Sequence, residues 1–178
     1  NFYNIINKHL IRLLLIMKIF IIIFLFLFSS KVFSFEQLMD CGGVFKIERE
    51  FTLSDQSKYS HFTNVGTCTD NLGSYSSYSC FGKFETKEDI IIQTDFLCEN
   101  IYSDGEKSWS RGERKVDTEI DSSLGKLTVI DGTGKYKALV GSVCNYGIKF
   151  INHEKYSSSF SKNKCTLTKN QYNVLIKK

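Results

Sequence analysis

The sequence has no proline, one tryptophan, two methionines and only three histidines among its 178 residues. Without proline, and without a glycine- or serine-rich stretch, nothing divides the chain into domains joined by a linker. With so few histidines, a metal site built on HxH or HxxxH spacing has no material, and none of the six cysteines is spaced as CxxC. That removes the usual signature of zinc ribbons and thioredoxin-like redox sites. No Asn-x-Ser/Thr acceptor occurs. The one long apolar run lies near the N-terminus.

That run has the layout of an export signal. Met17-Lys18 precedes ten unbroken apolar residues, Ile19 to Phe28, and Ser29 to Ser34 follow as a polar region. Val32 and Ser34 stand at the −3 and −1 positions of a cleavage site before Phe35. The expected organisation is therefore residues 1–34 as upstream extension and signal peptide, and 35–178 as one domain. The rival, an uncleaved anchor, is short of the ~20 apolar residues that span a bilayer. A lipoprotein signal at Cys41 is a poor fit, because Met39 and Asp40 precede it. The expected location is periplasmic or secreted, and the absence of proline with abundant Lys, Asn, Ile, Phe and Ser suits an AT-rich bacterial genome.

Four of the 23 basic residues, Lys8, Arg12, Lys18 and Lys31, precede Phe35, leaving 19 against 19 acidic residues. A segment with no net charge offers no broad electrostatic attraction to nucleic acid, so none is expected as a partner. A membrane is expected only through the signal segment, if that stays uncleaved. The six cysteines, Cys41, Cys68, Cys80, Cys98, Cys144 and Cys165, all follow the leader, and an even number behind an export signal reads as a disulfide framework.

From Phe35 onward, turn residues recur every ten or so positions between β-branched and aromatic runs, the rhythm of an antiparallel all-β domain. Phe45, Ile47, Phe51 and Leu53 alternate with polar residues as a half-buried strand would. Further strands are expected over 59–67, 74–84, 89–99, 107–116, 124–130, 142–151 and 158–168, with a peripheral polar tail over 169–178. Thr69 to Gly73 and Ser103-Asp104-Gly105-Glu106 supply turn chemistry. The expected fold is a meander of about eight strands closed into a small barrel, since closure removes exposed edges; a sandwich is the alternative. Cys80 and Cys98 fall on neighbouring strands, as do Cys144 and Cys165, which leaves Cys41 with Cys68.

The stretch Gly125 to Ser142, with Asp131-Gly132-Thr133-Gly134-Lys135-Tyr136 at its centre, resembles the GTGKY motif of allene oxide cyclase-like and dirigent-like barrels. Gly66 to Gly82, Cys98, Ser103 to Lys107 and Trp109 are similar to small exported bacterial proteins carrying the same late motif. The likeness runs from Gly66 to Cys165, and Ala138 departs from it where those families carry glycine. It implies a barrel, and an apolar small molecule bound inside it. No catalytic residue carries over.

Chemistry is sparse. His61 and His153 form no recognisable nucleophile relay and are expected at the rim or exposed, and Asp95 and Glu99 fall on the polar phase of their strand. Asp70, Asp104 and Asp131 each have a local reason to sit in a turn. No catalytic residue, metal or cofactor is expected. Aromatics are the remaining binding feature, and Tyr75, Tyr78, Trp109, Tyr136 and Tyr146 are the candidate ligand contacts. The alternation of Ser and Tyr over Ser74 to Ser79 also suggests a face for a partner or polysaccharide. The expected function is a non-catalytic binding or structural module for an apolar small molecule or an envelope protein. The alternatives are a cyclase or isomerase with an open cavity of roughly 300–1,000 Å³, and an inhibitor or interaction protein acting through its surface.

Overall fold

The computed structural model describes Met17, Lys18, residues 34–114, Val116, 118–119 and 122–177; the expected signal segment over 19–33 lies outside the described residues. The strands are β1 (Phe35–Thr52), β2 (Lys58–Asp70), β3 (Tyr75–Lys87), β4 (Ile90–Tyr102), β5 (Lys107–Arg114), the two-residue β6 (Thr118–Glu119), β7 (Ser122–Gly132), β8 (Val143–Asn152) and β9 (Ser157–Leu167). Each long strand pairs antiparallel with its sequence neighbour, and β1 pairs with β9. The eight long strands thus close into a barrel with no free sheet edge along the shared register, as the turn rhythm led us to expect. The β6 stub pairs with the start of β4.

Three disulfides staple adjacent strands at directly opposed positions: Cys41–Cys68 across β1 and β2, Cys80–Cys98 across β3 and β4, and Cys144–Cys165 across β8 and β9. No described cysteine is free. A barrel with its cysteines paired in this way belongs to an oxidising, non-cytoplasmic environment.

The two ends of the barrel are closed differently. At one end β7 runs into a 3₁₀ helix (Gly134–Leu139), and β9 into a short α-helix, α1 (Lys169–Leu175). Tyr136 of the 3₁₀ helix is 1% exposed and stacks on Tyr102 with ring centroids 3.5 Å apart. Leu139, Leu167 and Leu175 pack into the same cluster. The segment that carries the GTGKY motif is clamped to the β4–β5 turn: the Lys107 amide donates to Thr133 Oγ1 at 2.8 Å, the Thr133 hydroxyl donates to the Glu106 carboxylate, and Lys135 Nζ lies 2.9 Å from Asp104. Burial acts to raise the Asp104 pKa, but Lys135 and the Glu106 amide outweigh it and hold the carboxyl below its ordinary value. The polar tail expected over 169–178 is instead partly α1. Thr168 and Gln171 form a capping box that starts it, and Gln171 Nε2 donates to Ala138 O and Ser142 Oγ, both at 2.9 Å.

The other end is filled by side chains alone. Phe45, Phe62, Phe84 and Phe150 form a buried cluster there, with Phe96 and Ile148 against it. One expectation is corrected at this end. The alternation over 45–53 places only Phe45 inside, because a bulge between Ile47 and Arg49 shifts the register, and β1 runs past the end of its pairing with β9 at Phe45. Ile47, Phe51 and Leu53 are consequently exposed. On β4, a register shift opposite Glu85 and Thr86 buries Ile91 and turns Ile92 outward. Strand β1 also starts at Phe35, ten residues before the alternating segment that announced it.

Candidate functional site

Between the two closed ends the barrel is hollow, with a chamber of about 120 Å³. Its size follows from residue choice on the inward phase of the strands. Phe96 lies across Gly112, where an added Cβ would meet the ring at 2.1 Å, and Tyr146 lies across Gly125, where it would meet the ring at 2.4 Å. Glycine at those two points lets large rings lie flat against the wall instead of crossing the lumen. Phe96 and Tyr146 then meet edge to face, with centroids 6.3 Å apart.

The wall is part apolar and part polar. All six cysteines line it, together with Phe96, Tyr146, Ile148 and Phe150. Its polar groups include Asn64, Tyr78, Thr94, Asn100, Ser110 and Asn163, and Arg114 is the one charged side chain among the described lining residues. Asn64 Oδ1 accepts from Ser159 Oγ at 2.8 Å and from Tyr78 Oη at 3.3 Å. Asn163 Nδ2 donates to Cys41 Sγ at 3.3 Å. Tyr102 and Ser108 share a hydrogen bond of 3.0 Å, and Tyr146 Oη donates to the Glu113 carbonyl at 3.2 Å. Thr94 Oγ1 is buried and has no hydrogen-bond partner among the described residues.

Burial raises the pKa of each lining tyrosine above that of a free phenol. Tyr102 is pushed up to about 12, and Tyr78 and Tyr146 are raised as well. Near neutral pH these groups are uncharged phenols, which donate and accept hydrogen bonds but do not act as bases. Among the described residues the lining holds no carboxylate, lysine or histidine.

Of the five aromatic candidates, the barrel brings Tyr78 and Tyr146 to the chamber. Tyr136 belongs to the cap, stacked behind Tyr102. Tyr75 begins β3 and is 63% exposed. Trp109 lies on the outer phase of β5, paired with Glu99 and Asp131. The Ser/Tyr alternation over 74–79 is thus split, with Tyr75 outside and Tyr78 inside.

The remaining polar candidates lie outside the chamber or are locally engaged. Exposed His61 packs against Tyr59, and exposed His153 against Tyr156. Asp95 and Glu99 pair with Arg111 and Lys107 on the outer wall. Asp70 accepts from the Leu72 and Ser74 amides, and Asp131 from the Gly132 amide. Among the described residues no group of His, Cys, Asp and Glu could hold a metal ion.

Sequence reasoning passed over Thr94, Asn100, Ser110 and Arg114. On β5 the large apolar residue, Trp109, faces out, and the inward phase reads Ser108, Ser110, Gly112, Arg114. The apolar-in rule selects the wrong face of such a strand; only the pairing of β5 with both neighbours identifies the inward one.

The chain matches no family model, no curated protein and no solved structure.

Proposed function

We propose that this chain is an exported binding barrel, working in the periplasm or outside a bacterial cell, that holds one small and largely apolar molecule in its lumen without transforming it. The observation that carries this reading is the chamber itself, about 120 Å³ walled by rings, disulfides, neutral hydrogen-bonding groups and the Arg114 guanidinium. A cavity of about 150 Å³ is enough for benzene, so the occupant is of that size. The export layout over residues 17–34 and the resemblance to cyclase-like and dirigent-like barrels support the compartment and the mode of binding. The cyclase or isomerase reading has less support, since the chamber is below the roughly 300–1,000 Å³ of sites for larger ligands and its wall holds neutral phenols rather than an acid–base pair.

A second reading rests on the outer wall. Exposed Ile151, Phe160, Val44, Val65 and Phe81 lie within two register positions of one level on the successive strands β8, β9, β1, β2 and β3, with Val44 directly opposite Val65, an apolar belt suited to an envelope protein.

Native mass spectrometry of the unreduced protein from its exported fraction tests the first reading. The expected species starts at Phe35, lacks six hydrogens for three disulfides, and carries an added mass of roughly 80–150 Da, the range of benzene-sized molecules. A ligand-free species that also takes up no benzene-sized compound would overturn the binding reading and leave the outer belt as the working surface.

A further inference from the structure

Resting on the binding reading, we infer that the chamber takes a neutral molecule with a carboxamide head and a single-ring body, the head held between Asn100 and Ser110. Placement comes first. Asn100 stands opposite Ser108, and Cys98 opposite Ser110, so Asn100 and Ser110 are diagonal neighbours on the inner face of β4 and β5, close enough for one group to reach both. Both line the chamber, and Ser110 is 5% exposed. Neither side chain hydrogen-bonds to another among the described residues, whereas the polar groups around them are engaged: Ser108 with Tyr102, Asn64 with Ser159, and Asn163 with Cys41. Enclosed polar groups left without partners cost stability, and two of them side by side call for an occupant that pairs both. Thr94 Oγ1, which also lacks a partner, belongs to a residue six positions from Asn100 along β4, roughly 20 Å, and does not share the head.

The chemistry of the head follows from what the two side chains offer. Asn100 presents N–H donors and a carbonyl acceptor, and the Ser110 hydroxyl presents one of each. A carboxamide is the matching set: its carbonyl accepts from Asn100 Nδ2, one N–H donates to Asn100 Oδ1, and a remaining N–H or lone pair meets the Ser110 hydroxyl. A ketone lacks the donor and leaves Asn100 Oδ1 unpaired. A carboxylate or an ammonium would leave water and find no opposite charge at either residue; Arg114 stands four residues from Ser110 along β5, roughly 13 Å. The body is apolar because the wall beside the pair is. The Cys80–Cys98 bridge and Val129 flank Ser110 across the strands, and Phe96 is one inward step beyond Cys98. About 120 Å³ of space admits a single ring but not a fused pair.

The test is calorimetric titration of the full oxidised chain with three compounds of one shape: benzamide, acetophenone and cumene. Transfer from water into a merely apolar space favours cumene and disfavours benzamide. Asn100 and Ser110 reverse that order. Benzamide is expected to bind at least about ten-fold tighter than acetophenone, whose methyl leaves an acceptor unpaired, and cumene to bind weakest. Ser110→Ala should weaken benzamide by about three- to ten-fold, leave cumene unchanged and not lower the Tm of the ligand-free protein, because the hydroxyl has no partner in the fold. Asn100→Leu should restore the apolar order, with cumene ahead of benzamide. If the leucine variant fails to fold, Ser110→Ala decides alone: benzamide bound as tightly as by wild type, or a lowered Tm, overturns the inference. Acetophenone or cumene binding wild-type protein as tightly as benzamide also overturns it and leaves the binding barrel standing. If none of the three compounds binds wild-type protein, both fail.

Discussion

The barrel has two ends made by different means, and they do different work. The capped end is closed by inserted backbone: the 3₁₀ helix and α1 lie over it, held by the Tyr102–Tyr136 stack, the Lys135–Asp104 pair and the hydrogen bonds of Gln171. The phenylalanine end is closed by rings that meet at tilted angles, Phe45 lying 4.7 Å from Phe150 and 5.1 Å from Phe62 between centroids. Inserted backbone with polar anchors has one arrangement. A ring cluster has several of similar energy, because dispersion contacts are weakly directional. The capped end is therefore held in one arrangement, and the phenylalanine end can rearrange its rings.

The largest effect that sharpens this contrast is Tyr136→Ala, expected to cost about 3–5 kcal/mol in urea unfolding, the range for emptying a buried aromatic site. Phe62→Leu at the other end should cost under about 1.5 kcal/mol, since neighbouring rings can refill the space. Equal costs would mean that both ends are closed alike.

Alkali should weaken the cap as well as the chamber wall, where Tyr78 and Tyr146 are also raised. Tyr102 ionises near pH 10 in the unfolded chain and is pushed up to about 12 when folded. A phenol with a raised pKa contributes its full stabilisation below pH 10 and loses it as pH rises from about 10 to 12, a loss on the order of 2–3 kcal/mol. Urea midpoints followed across that interval should fall more steeply for wild type than for Tyr102→Phe. Parallel curves for the two proteins would remove the tyrosine from the account.

Two smaller effects separate the ends further. Thr168→Ala breaks the capping box of α1 and should cost about 1 kcal/mol, with faster amide exchange over 169–175 and none of that change at Phe84 or Phe150. At the phenylalanine end, the β3–β4 turn holds Glu88 and Asp89 at φ of 52° and 61° with no glycine. Asp89→Gly should therefore stabilise by about 0.5–1 kcal/mol, read as a higher urea midpoint with an unchanged slope.

Much of the architecture could be read from the residues. Asp104-Gly105 and Thr69 to Gly73 marked turns where turns occur, and the alternation of polar clusters with β-branched runs counted the long strands. Cysteines on sequence-adjacent strands stand opposite one another because an antiparallel meander makes every neighbour a partner. The start of β1 was hidden, because Gly42-Gly43 reads as a turn and apolar residues fall on both phases: Met39 lines the chamber while Leu38 and Val44 are exposed. Helix α1 was missed although Thr168 and Gln171 carry a capping-box spacing; a helix of seven residues shows too little periodicity to announce itself. The chamber was the least legible part. Its wall is built from serine, asparagine, threonine and glycine on the inward phase, residue types that ordinarily mark the outside, and which of them meet depends on pairings between strands far apart in sequence.

The inward direction of the disulfides has a kinetic consequence. Exchange requires a thiolate to approach a sulfur along the S–S axis, and here the bridges face the closed lumen, with Cys68, Cys80, Cys98, Cys144 and Cys165 buried. A bulky reductant such as glutathione is kept from the Cys80–Cys98 and Cys144–Cys165 sulfurs while the barrel is intact, whereas Cys41 is only half-buried. The lifetime of those two crosslinks is then set by how often the strands part, so the barrel protects the bonds that protect it.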